Sequence, residues 1–171
     1  MAGAQTATLA GAIATTGLTA LQGIDDALAM KRGETIIIHG ASGGVGTLVI
    51  QFAKLRGARV LATASGVDGL ELVREMVADL AVDSRHEDVA EAARRFAHDG
   101  VDAILALAGG DELEHALETL RPGGRLAYPN GIASPESANF GGATSPSRPR
   151  SSRFRSRKHF RWSKPPRRTS A

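Results

Sequence analysis

One short turn concentrates the residues that could do chemistry: Gly40-Ala41-Ser42-Gly43-Gly44-Val45-Gly46. A dinucleotide fingerprint has the form Gly-x-Gly-x-x-Gly and stands between a strand and the start of a helix. Here Ala41 takes the first glycine position, Gly43 the second and Gly46 the third, with Gly44 as an extra glycine. The first position needs a small residue for the tight turn. Gly43 lets the backbone approach a pyrophosphate, and Gly46 lets the helix pack close to the strand. Backbone N–H groups at the helix start then face the phosphates, aided by the helix dipole.

The next strand bears on which dinucleotide. An NAD site carries Asp or Glu about 20 residues beyond the glycines, where it binds the ribose 2′-hydroxyl. Residues 60–67 contain no acid and end in Thr63-Ala64-Ser65-Gly66-Val67. A small hydroxyl-bearing end does not repel a 2′-phosphate, which favours NADP. Asp68 lies close by, and Arg74, the nearest downstream base, reads as a solvated helix residue. The other polar side chains offer no acid–base or nucleophile constellation, so no catalytic residue is assigned. His39 ends an apolar strand and reads as a satisfied structural histidine. Asp102 starts a strand and is expected at an exposed edge or as a local cap. Thr15, Thr16 and Thr19 read as packing or backbone-bonded hydroxyls. His86, His98 and His115 show no metal spacing.

These residues must be positioned by alternating strands and helices. A helix is predicted from Leu9 to Met30, broken at Thr15-Thr16-Gly17. Short apolar runs at 35–39, 59–64, 80–83, 101–107 and 125–128 read as strands. Between them, 47–56, 69–77, 89–98 and 112–120 read as helices, and Pro122-Gly123-Gly124 as a turn. Strand and helix alternating at this pace predict an α/β fold, a doubly wound parallel sheet of about five strands.

Composition excludes other classes. The chain of 171 residues has no cysteine, hence no disulfides and no thiolate metal site. It has no run of about 18 apolar residues that would span a membrane. A signal peptide is not expected, and a cytoplasmic location is the default expectation. Aromatic residues are only 4%, too few for a base-stacking surface. The net charge of +3 and pI near 9.8 belong to one end of the chain. Residues 1–132 carry 11 Lys+Arg against 17 Asp+Glu, a net −6; residues 133–171 carry 10 against 1, a net +9. The latter segment has no Val, Leu, Ile or Met and holds nine Ser and five Pro. So little apolar surface cannot offset the entropy of ordering, so 133–171 is predicted to be a disordered tail.

Three segments carry a family resemblance: Gly17-Leu18-Thr19-Ala20-Leu21, Gly33 through Gly46, and Gln51-Phe52-Ala53-Lys54. They resemble the medium-chain dehydrogenase/reductase superfamily, and the Ala-Ser-Gly-Gly-Val-Gly form is similar to its zinc-free, zeta-crystallin-like quinone oxidoreductase branch. Leu120-Arg121-Pro122-Gly123-Gly124-Arg125-Leu126 is similar to the family's approach to its fifth strand. The resemblance covers about residues 8–132. It implies a Rossmann domain that binds NADPH, no metal, and hydride transfer to a quinone or an enone. By position it implies Ser42, Gly43, Gly44 and Val45 around the pyrophosphate. Thr63 and Ser65 would lie near the adenosine ribose and its 2′-phosphate. Ala108 and Gly109 would lie beside the nicotinamide ribose, and Asn130 with Gly131 near the nicotinamide.

Departures from the family set further expectations. The family's N-terminal catalytic domain and its sixth strand are expected to be missing, leaving a truncated cofactor domain over 1–132 that is inactive alone. Homodimerisation, which that strand supports in the family, is not expected. The tail reads either as a basic arm for nucleic acid or an anionic membrane, or as out-of-frame translation. Shifting the codons of residues 152–171 by one nucleotide permits Phe-Glu-Val-Pro-Ile-Ala-Glu-Thr-Phe, which resembles the family's C-terminal segment. The frameshifted reading is the favoured one. Two alternative functions follow: a basic-tailed nucleic-acid-binding protein, and a non-catalytic Rossmann subunit that pairs with a separately encoded catalytic domain.

Overall fold

The structure, a computed structural model, describes residues 14–129 and the backbone of residues 160–161. Residues 14–21 are α-helical and continue into a π-helical stretch, Gln22–Ala27; together they form α1. Then follow β1 (Thr35–His39), α2 (Gly44–Leu55), β2 (Arg59–Ala64), α3 (Val67–Glu75), β3 (Leu80–Asp83) and α4 (Val89–Phe96). The chain continues through β4 (Val101–Ala106), α5 (Asp111–Leu117), β5 (Leu120–Tyr128) and β6 (Phe160–Arg161). All strands are parallel, in the order β3-β2-β1-β4-β5-β6.

Helices cover both faces of the parallel sheet, so β1 and β4 are buried at every position and are largely apolar, with Thr35, His39 and Asp102 as the polar exceptions. The side chains still alternate. Ile36, Ile38, Val60, Ala62, Ala103 and Leu105 join one core with Ile24, Leu28, Val49, Ile50 and Val73 from α1, α2 and α3. Ile37, Leu61, Ile104 and Ala106 point to the other face, against Val89, Ala92, Ala93, Leu113 and Ala116 from α4 and α5.

Three expectations change. The helix runs through Thr15-Thr16-Gly17 without a break. A Cβ at Gly17 would meet nothing within 4 Å, so that glycine sits on an open helix surface and costs only its backbone entropy. The departure from α geometry falls at Gln22–Ala27, where the Leu28 N–H reaches back five residues to the Gly23 carbonyl (3.0 Å). Asp102 is not at an exposed edge. It is buried, and accepts from both the Thr35 N–H and the Thr35 hydroxyl. The predicted turn at 122–124 lies inside β5 as an irregularity. Val101 pairs with Leu120 but Ala103 with Arg125, so the residues between Leu120 and Arg125 bulge, with Gly123 at φ +83°.

The sheet has a sixth strand where none was expected and where 133–171 was read as disordered: Phe160–Arg161 pair in parallel with Ala127–Tyr128 at the free edge of β5. The expectations placed on the other residues of 133–171, and on Leu9 through residue 13, lie outside the described residues.

Candidate nucleotide-binding cleft

The strand order reverses between β1 and β4, because β1 leads to β2 on one side while β4 leads to β5 on the other. Ligands of open α/β sheets bind beyond the carboxyl ends of the strands at such a switch point. A cleft of ≈ 250 Å³ opens there. It is lined by His39, Gly40 and Ser42 at and beyond the end of β1, Ala64 and Ser65 at and beyond the end of β2, and Ser84 and Arg85 after β3. Ala108, Gly109 and Glu112 complete it after β4.

The glycines divide the labour of the turn. Gly40 takes the tight step, with φ +78°, and a Cβ there would stand 2.8 Å from the Ala108 Cβ. The positive-φ role therefore falls one residue before the position read from the fingerprint, and Ala41 is simply buried. Gly46 is the close-packing position, since its Cβ would lie 2.6 Å from the Ala41 Cα. Gly43 has nothing within 4 Å of a Cβ, so its face is open.

Gly43 is also the N-cap of α2. No side chain caps this helix, and no acid stands in its first turn. Its leading N–H groups are therefore left for an anion, with the positive end of the helix dipole behind them.

Two bonds pin the turn to β2. The Ala41 N–H donates to the Thr63 carbonyl (2.7 Å), and the Gly40 N–H donates to the Thr63 hydroxyl (3.0 Å). That hydroxyl also lies 3.1 Å from His39 Nδ1. Burial pushes the His39 pKa below the ordinary imidazole value, partly offset by the charge of Glu112.

Of the residues expected around a nucleotide, Ser42, Ser65, Ala108 and Gly109 line the cleft. Gly43, Gly44 and Val45 stand at the adjoining N-terminus of α2. Thr63 is not on the lining; it is buried behind it as a brace. Asn130 lies outside the described residues. Arg74 is exposed on α3 and away from the lining.

Sequence reasoning missed Ser84, Arg85 and Glu112. The search for a 2′-phosphate partner stopped at the end of β2, yet β3 lies beside it and ends level with it, Ala64 pairing with Asp83. The residues following Asp83 therefore reach the same rim. The Ser65 and Ser84 hydroxyls are 3.3 Å apart, and the Arg85 N–H donates to the Asp83 carboxylate (3.0 Å), turning the chain at that rim. Among the described residues, no group of three or more His, Cys, Asp or Glu could hold a metal ion.

The family model for zinc-binding dehydrogenases matches residues 44–148. The chain is 36% identical over 117 residues to the dehydrogenase FUB6 of Fusarium oxysporum f. sp. lycopersici, covering 68% of this chain and 33% of that protein. It is 34% identical over 113 residues to the 2-alkenal reductase (NADP(+)-dependent) of Nicotiana tabacum, covering 65% of this chain and 33% of the reductase. A mycobacterial protein solved in complex with NADPH superposes with TM-score 0.63 at 30% identity, over 70% of this chain and 38% of that one. The chain thus spans about a third of the length of the curated relatives it matches. The matched segment opens on the very helix that the glycine turn feeds, and the chain belongs to the zinc-binding dehydrogenase family of the medium-chain dehydrogenase/reductase superfamily.

Proposed function

We propose that this chain is a nucleotide-binding unit of an NADPH-dependent oxidoreductase, of the type that reduces a quinone or an enone. One observation carries the reading: the uncapped N-terminus of α2, with the open face of Gly43, stands beside a cleft at the β1/β4 switch point. Among the described residues, Arg85 is the one Lys or Arg side chain that lines the cleft, at its β2–β3 rim.

The turn Ser42-Gly43-Gly44-Val45 would hold the pyrophosphate with backbone N–H groups. Ser65, Ser84 and Arg85 would hold the adenosine ribose and its 2′-phosphate. Arginine suits that phosphate because its fork of N–H donors matches phosphate oxygens. Ala108 and Gly109 would border the nicotinamide ribose, where the lack of bulk leaves room for the ring. When bound, NADPH supplies a hydride, and the chain's residues orient it. The reductase from Nicotiana tabacum, named for NADP dependence and an alkenal substrate, supports this reading. So does the superposition on a protein solved with NADPH.

The family's description names zinc. The described residues offer no fitting donor set and the chain has no cysteine, so zinc enters no step proposed here. Calorimetric titration with NADPH and NADH tests the reading. NADPH is expected to bind more tightly than NADH, and binding of neither would overturn it.

A further inference from the structure

We infer that His39 is a ligand-binding residue of the cleft, presenting an Nε2–H donor whose tautomer is fixed by the Thr63 hydroxyl. This deepens the dinucleotide reading and rests on it. His39 closes β1 and is almost fully buried, yet it lines the cleft.

The Thr63 hydroxyl has one proton to give. Its oxygen already accepts from the Gly40 N–H at 3.0 Å, and the ring nitrogen Nδ1 at 3.1 Å is the acceptor within reach of its own proton. Among the described residues Nδ1 is the one acceptor in reach of that buried hydroxyl, so a bond donated to Nδ1 satisfies it; Nδ1 then carries no proton and a neutral ring carries its proton on Nε2. Burial, which disfavours the charged imidazolium, keeps the ring neutral.

Nε2 is not an orphan of the interior. Among the described residues, Arg125 Nε is the one buried side-chain N or O atom without a partner. With Nδ1 committed to Thr63, Nε2 is the nitrogen left for the cleft. A neutral N–H donor at that place suits an oxygen acceptor of the dinucleotide.

The same hydroxyl thus does two things. It fixes the turn through Gly40, and it fixes which His39 nitrogen offers a proton to the ligand. Glu112 lines the cleft with His39 and is the charged group that its imidazole feels.

Two measurements on the full chain test this. Nitrogen-15 NMR of the His39 ring should show the Nε2–H tautomer without any nucleotide present. Thr63→Ser should keep it, and Thr63→Val, which lacks the hydroxyl, should lose it. An Nδ1–H ring in the wild type overturns the proposal.

Titration with NADPH then tests the contact. His39→Asn places an amide near Nδ1 and nothing at Nε2, so it should bind about tenfold more weakly, the worth of roughly one hydrogen bond. His39→Gln, whose amide reaches the Nε2 position, should recover part of that loss. Circular dichroism confirms that both variants are folded. Wild-type affinity in His39→Asn overturns the contact alone. A wild type that binds no NADPH overturns the dinucleotide reading and this contact with it, while the tautomer still reports on Thr63 and His39.

Discussion

Thr35 and Asp102 are 67 residues apart in sequence and joined by three hydrogen bonds. The Thr35 N–H and hydroxyl both donate to Asp102 Oδ2, at 2.7 and 2.8 Å, and the Asp102 N–H donates to the Thr35 hydroxyl at 3.1 Å. Arg121 pairs with the other carboxylate oxygen. The cluster locks the start of β1 to the start of β4, at the end of the sheet opposite the cleft. It fixes the register of the two strands whose far ends flank the switch point.

Asp102→Ala should therefore cost about 2–3 kcal/mol, because it leaves buried donors of Thr35 without an acceptor. Urea unfolding monitored by circular dichroism would measure this. Arg121→Ala should cost less, since that side chain is half exposed and the remaining carboxylate keeps its bonds to Thr35.

Val77 sits in the left-handed region, at φ +67°, directly after the C-cap of α3. Its N–H bonds to the Arg74 carbonyl and the Ala78 N–H to the Val73 carbonyl, which closes the helix. Glycine is the residue favoured at this position, and a β-branched side chain there is strained. Val77 is also exposed, so it contributes little packing. Val77→Gly should raise stability by about 0.5–1 kcal/mol, the relieved strain less the entropy glycine adds to the unfolded chain. Thermal unfolding would show the midpoint rise.

Stability should fall as pH drops below the ordinary histidine range. His39 takes up a proton less readily in the folded protein than in the unfolded chain, so below about 6.5 the unfolded state binds more protons. The stability present above that pH is lost as pH falls toward the lowered folded value. The carboxylates act further down. The Asp79 carboxyl is raised by burial, but its bonds to Lys54 and the Val60 N–H outweigh that and leave it lowered. His86 holds Asp83 low, and the Glu91 N–H holds Asp88 low. Their contribution is present above about 3.8 and lost below it. Chemical denaturation between pH 7.5 and 5.5 should thus show a slope in the wild type that His39→Asn flattens.

Two glycines of the turn should separate packing from binding. Gly46→Ala drives a Cβ into the Ala41 backbone and should destabilise the fold by roughly 1–3 kcal/mol. Gly43→Ala meets open space and should leave the unfolding midpoint near wild type. Its Cβ would occupy the face offered to the pyrophosphate, so NADPH affinity should drop.

The strands were legible because burial on both faces leaves unbroken apolar runs. Arg59–Ala64 and Leu80–Asp83 stand where the sequence pattern places them. The glycine turn was legible because its spacing carries a steric demand. Less visible was whatever depends on neighbours distant in sequence. Asp102 looks solvated until Thr35 is brought to it. Arg85 looks like a loop residue until β3 is placed beside β2. Thr63 looks like a ligand contact until its hydroxyl is seen beneath Gly40, and Gln22–Ala27 reads as ordinary helix because six residues are too short a run to betray a change from i→i+4 to i→i+5 bonding.

Amide chemical-shift mapping on adding NADPH to the 171-residue chain shows which end of the sheet takes the nucleotide. Shifts are expected to centre on Gly43, Gly44, Val45, Ser65, Arg85 and Gly109, with the Thr35–Asp102 cluster unmoved. Shifts confined to the Asp102 and Arg121 end of the sheet, or none at saturating nucleotide, would contradict binding at the glycine turn.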